Sequence, residues 1–158
     1  STLSELTKQF SIIHICGKGN LDDTISYDNY VQFEYVDEDL AHLFAATDMI
    51  VSRAGANALY EILALKLPNL LIPLSVKASR GDQIDNANYF TKLGVSRTLN
   101  EEELNEQSFI SELHALEQVK HNMIAKLKQI DIQSATPELL SLIKEFTHDR
   151  QKTTKPIY

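Results

Sequence analysis

Apolar positions recur in two rhythms along this chain, and the two alternate. Residues 3–10 carry apolar side chains at helical spacing and lead into "FSIIHICGKGN". There Ile12, Ile13 and Ile15 predict a buried strand, and Gly17-Lys18-Gly19-Asn20 a loop. "NYVQFEYV" (29–36) alternates well enough for a second short strand. "DEDLAHLFAATD" (37–48) predicts a helix with Leu40, Leu43 and Phe44 on one face and acidic residues at its start, where the helix dipole favours them. "MIVS" (49–52) predicts a short buried strand, and "ANALYEILALK" (56–66) a helix with Leu59, Ile62 and Leu63 inward. "LPNLLIPL" (67–74) is largely apolar and bounded by prolines, the pattern of a strand covered on both faces.

The alternation continues to the end of the chain. "DQIDNANYFTKLG" (82–94) predicts a helix closed by Gly94, and "VSRTLN" (95–100) a further strand. Residues 101–129 read as helical with a break near Glu106-Gln107. In "ATPELLSLIKEFTHD" (135–149), Thr136 is placed to cap a last helix and Pro137 to open it. The predicted order is α-β-β-α-β-α-β-α-β-α-α, over a domain of residues 1–150 with a polar, mobile tail at 151–158. Strands separated by helices at short spacing imply right-handed crossovers and a doubly wound, Rossmann-like parallel α/β sheet. Such sheets bind ligands beyond the carboxyl ends of their strands, where strand-to-helix loops gather.

Composition narrows the ligand. The net charge of -7, without a clustered run of Lys and Arg, argues against nucleic acid, whose phosphates need clustered cations. The single cysteine, Cys16, rules out an internal disulfide, favours a reducing, cytoplasmic setting, and is expected as an inert core residue. No apolar run reaches the roughly 18 residues of a membrane span. The five histidines are scattered without metal-ligand spacing, so no metal is expected and no cofactor is called for. No serine sits in a Gly-x-Ser-x-Gly elbow.

Two stretches hold the candidate chemistry, and each has a plainer reading. "VSRAGANALYE" (51–61) puts small residues where a strand hands over to a helix. A helix N-terminus offers unpaired amides and partial positive charge, so Gly55, Ala56 and Asn57 suit a diphosphate. Glu61, just over a turn on, suits the hydroxyls of a ribose; the plainer reading is a tight turn and an exposed Glu. "PLSVKASRGDQIDNANYF" (73–90) ends in a helix whose first turns carry Asp82, Gln83 and Asn86. Gln83 and Asn86 share a face, and their amides suit sugar hydroxyls; the plainer reading is capping by Asp82 and solvated polar residues. "GKGN" (17–20) has the glycines of a phosphate loop, but two glycines alone are a weak signal and a plain turn is favoured.

Together, "TDMIVSRAGANALYEILALKLPNLLIPL" and "SRGDQIDNANYFTKLG" closely resemble the carboxyl-terminal domain of the MurG family of peptidoglycan glycosyltransferases, in the form of its Gram-positive members. The likeness runs over residues 10–113 and is densest over 47–94. It implies the carboxyl-terminal half of a glycosyltransferase-B fold that binds UDP-N-acetylglucosamine, in an enzyme that makes lipid II from lipid I with inversion and without a metal. By position, it places Val36 where a backbone group meets uracil and Ala56, Asn57 and Ala58 at the helix start facing the diphosphate. It also places Glu61 on the ribose and Gln83 on the sugar hydroxyls. Asp82 stands where some relatives carry glutamine.

The family opens this domain with a strand and a glycine-rich loop, whereas this chain begins within the following helix. The expectation is therefore a piece of a longer protein whose sheet lacks its first strand. No catalytic residue is expected in it, because the acceptor, the base and the membrane contact belong to the absent amino-terminal domain. Two rivals remain: the donor-binding subunit of another glycosyltransferase-B enzyme, such as the dolichol-linked N-acetylglucosaminyltransferase with its membrane-bound partner, and a non-enzymatic nucleotide-binding or interaction module.

Overall fold

The computed structural model describes residues 2–37 and 39–130. Helix α1 (Thr2–Leu6) precedes β1 (Ile12–Ile15), β2 (Tyr30–Phe33) and α2 (Leu40–Ala45). Then β3 (Ile50–Ser52), α3 (Ala56–Leu65), β4 (Asn69–Leu71), α4 (Asp82–Lys92) and β5 (Arg97–Thr98) alternate. A 3-10 turn (Glu101–Glu103) leads into the long helix α5 (Glu106–Gln129). The expected helix at 135–149 and the tail at 151–158 lie outside the described residues.

Every strand pairing is parallel, as short helical crossovers require. The ladders form two ribbons, β1-β2 and β3-β4-β5, with no ladder between them. In the doubly wound strand order the first strand lies between the second and the fourth. Taking β1 to β5 as the second to sixth strands, the break falls at the place of the first. The fold is thus the expected doubly wound α/β sheet, with no strand at that place among the described residues.

The core centres on β4, whose three residues are all buried because helices cover it. Leu59 and Ile62 of α3, Ala87 and Phe90 of α4, and Leu116, Met123 and Leu127 of α5 close around Leu70 and Leu71. Helix α3 stops at Lys66, which adopts the left-handed conformation (φ 56°) while the Leu67 amide turns back to the Ile62 carbonyl at 3.1 Å. Helix α4 is followed by Gly94 (φ 71°), where a side chain would run into Lys126 of α5.

The structure differs from the sequence reading in several places. Ile13 and Ile15 are not buried: they pair with Val31 and Phe33 on one face of the β1-β2 ribbon, and all four are exposed. Only Ile12 of the three packs against the core, because nothing among the described residues covers the opposite face. Val51 of β3 is exposed for the same reason. Cys16 is a half-buried residue just beyond β1, with its thiol toward the Phe33 carbonyl at 3.4 Å, and not part of the core. Finally, the break in the long helix falls before Glu106. Asn105 caps α5 by accepting from the Ser108 amide at 3.0 Å, while Ser108 Oγ accepts from the Asn105 amide at 2.9 Å.

Candidate functional site

Three strand-to-helix loops converge at the carboxyl end of the β3-β4-β5 ribbon, and two of them open helices without a side-chain cap. Gly55 is the N-cap of α3 (φ -69°, ψ 144°), and the first turn closes with the Leu59 amide on the Gly55 carbonyl at 3.0 Å. The amides of Ala56, Asn57 and Ala58 are therefore left without protein partners among the described residues. A Cβ added at Gly55 would meet nothing within 4 Å, so nothing crowds the N-cap position itself. Ala56 and Asn57 are exposed, and Ala58 is half-buried.

Gly81 opens α4 from the left-handed region (φ 91°), which only glycine enters at little cost. Asp82 consequently does not cap this helix; it is the first helical residue, with an exposed side chain. Gln83 Oε1 accepts from the Leu74 amide at 3.1 Å. A backbone donor fixes the side-chain oxygen toward the protein, so the Gln83 amino group remains to donate outward. Asn86 does the reverse, donating from Nδ2 to the Ala54 carbonyl at 3.0 Å and leaving Oδ1 to accept. That bond ties α4 to the residue before Gly55. Asn86 is thus held against the loop that carries the α3 start, and Gln83 against the exit of β4.

Arg53 and Glu101 join the same cluster, a role that the sequence reading missed. The guanidinium pairs with Glu101 at 2.9 Å and donates to the Ile72 carbonyl at 3.2 Å. The other Glu101 oxygen accepts from the Ser75 amide at 2.9 Å. The Ser75 amide, foremost, and the Arg53 guanidinium hold the Glu101 carboxyl below its ordinary value of 4.5 against a smaller opposing effect of burial. The only signal in the sequence was an acid just after the last strand, which fits a helix start equally well.

Not all the candidate residues are drawn in. Glu61 is exposed on α3 and makes no hydrogen bond or ion pair among the described residues. Val36 is half-buried beyond the carboxyl end of β2, which belongs to the other ribbon. A cavity of about 350 Å³ opens elsewhere, between the end of α4, the start of β5 and α5, and is lined by Ser96, Arg97, Asn122 and Lys126 among others. None of the candidate residues lines it. Among the described residues no group of three or more His, Cys, Asp or Glu is placed to hold a metal ion. No described helix is long and apolar enough to cross a membrane.

The model of the glycosyltransferase family 28 C-terminal domain matches residues 1–144. The chain belongs to this family. Its family 28 relatives include a protein of Clostridium kluyveri, 50% identical over 91% of this chain and 41% of that protein. A second, from Oceanobacillus iheyensis, is 50% identical over 90% and 41%, and a third, from Legionella pneumophila, 47% identical over 94% and 41%. All three bear the name UDP-N-acetylglucosamine–N-acetylmuramyl-(pentapeptide) pyrophosphoryl-undecaprenol N-acetylglucosamine transferase. The family 28 domain described here thus spans about two fifths of the relatives' length. A crystal structure of Acinetobacter baumannii MurG shares the fold, with a TM-score of 0.71 over 91% of this chain and 43% of that one, at 21% identity.

Proposed function

We propose that this chain is the donor-binding half of an inverting, metal-independent N-acetylglucosaminyltransferase that makes lipid II from lipid I. The reading rests on one observation above all: an uncapped helix start at Gly55, uncrowded at the N-cap and followed by three free amides, at the carboxyl end of a parallel strand. Membership of family 28 and the relatives' names support UDP-N-acetylglucosamine as the ligand of that site.

In this reading the amides of Ala56, Asn57 and Ala58 and the α3 dipole hold the diphosphate and stabilise the charge that develops on departing UDP. Glu61 accepts the ribose hydroxyl protons. Gln83, its oxygen engaged by Leu74, donates to a sugar hydroxyl, and Asn86 fixes the loop while offering Oδ1. Val36 receives the uracil through its backbone, and Asp82 stands exposed beside the sugar position. The acceptor, the base that deprotonates it and the contact with the cytoplasmic membrane face belong to an amino-terminal domain outside this chain, so the chain alone binds the donor without transferring it.

Calorimetry with UDP-N-acetylglucosamine on the chain and on its Glu61→Ala variant tests the reading. Loss of hydrogen bonds to a charged group is expected to weaken binding by about 10- to 100-fold. An unchanged affinity would remove the ribose assignment.

A further inference from the structure

The exits of all three strands in the β3-β4-β5 ribbon are cross-linked through one carboxylate. Glu101, two residues beyond Leu99 at the β5 exit, gives one oxygen to Arg53 at the β3 exit and the other to the Ser75 amide at the β4 exit. Arg53 also reaches the Ile72 carbonyl, so the β3 and β4 exits are joined twice. Each tethered segment adjoins a donor-side group: Arg53 precedes Ala54 and Gly55, and Leu74, next to Ser75, holds the Gln83 oxygen.

We propose that Glu101 is a positioning residue for the donor site, holding the α3 start and Gln83 at the separation that one UDP-sugar spans. The inference rests on the donor-binding reading above. Glu101 itself touches no ligand in this arrangement; it acts through Arg53 and Ser75. The ion pair adds little to global stability, because its side chains are 47% and 29% exposed and such pairs are screened by water. Its effect is local. A charge-assisted bond to a backbone amide joins two loops that are otherwise held mainly to α4 and to themselves, and a preordered site gives up less entropy when the ligand arrives. Glutamine at this position keeps an oxygen for Ser75 but loses the charge that Arg53 pairs with, whereas alanine loses both.

The test compares the wild-type chain, Glu101→Gln and Glu101→Ala by amide hydrogen exchange without ligand and by calorimetry with UDP-N-acetylglucosamine. Glu101→Ala is expected to speed exchange at Ser75, whose amide loses its acceptor, and at Leu59, whose amide closes the first turn of α3, and to weaken UDP-sugar affinity by about tenfold, the scale of one charge-assisted hydrogen bond. Glu101→Gln is expected to fall between, and the thermal midpoints of all three to agree within about 3 °C. Unchanged exchange at those amides overturns the inference, as does faster exchange with unchanged affinity. A large drop in midpoint with exchange rising throughout the chain marks a purely structural residue and overturns it too. A wild-type chain that binds no UDP-sugar overturns the donor reading itself and the positioning role with it, an outcome distinct from a wild type that binds and variants that bind equally well.

Discussion

Gly55 has a backbone conformation open to any residue and no neighbour that a methyl group would strike. Neither strain nor packing therefore requires glycine, and what a side chain would take up is the space over the free α3 amides. Alanine is a poorer N-cap than glycine but also lowers the entropy of the unfolded chain, and the two effects oppose each other. Gly55→Ala is thus expected to change unfolding stability by less than about 1 kcal/mol in urea titration. Donor affinity is expected to fall at least about tenfold, because the methyl keeps the diphosphate off the amides. Glu101 carries a pH signature at the same scale. Its folded carboxyl titrates below the ordinary 4.5, so its contribution is complete above that value and is lost as pH falls through the lower, folded value. The stability difference between wild type and Glu101→Ala should therefore be constant through neutral pH and shrink only below about 4.5. Small side chains and amides in two loops were enough to pick out the candidate residues, but not Arg53 and Glu101, which the structure adds to the same cluster. The orientations of Gln83 and Asn86 were not legible, because their backbone partners come from 9 and 32 residues away.

Elements were legible wherever one rhythm ran for several residues. Helix α3 has Leu59, Ile62 and Leu63 inward as its spacing requires, and β4 is buried on both faces as its largely apolar run implies, its one polar residue, Asn69, donating to the Leu67 and Val95 carbonyls. Burial was misread where it depends on a neighbouring element: Ile13 and Ile15 have strand character, but the pattern says nothing of what covers them. The α5 start was placed near its true position, yet the Asn105 cap was overlooked because the acidic run before it looked helical. Replacing Asn105 with alanine should cost about 1 kcal/mol, measured by urea unfolding, since the Ser108 amide loses its acceptor. Leu116, fully buried on the same helix, should cost about 2–5 kcal/mol on change to alanine. Neither change should alter donor affinity once the fold is intact, as neither residue adjoins the site.

For the whole molecule, alternation of strand and helix was enough to give a parallel doubly wound sheet, while the pairing of strands across the chain was readable only through that rule. The two ribbons, with an interruption at the place of the first strand, leave unpaired edges and exposed Ile13, Ile15, Val31 and Phe33. The candidate loops nevertheless all lie on the β3-β4-β5 side, apart from Val36, so donor binding should survive the interruption. That is most directly tested by titrating UDP-N-acetylglucosamine into the isotopically labelled chain and following every backbone amide by NMR. The account predicts saturable shifts concentrated at residues 54–58, at Glu61 and around Gln83 and Asn86. No shifts at saturating ligand, or shifts confined to the cavity beside Ser96 and Lys126, would contradict it.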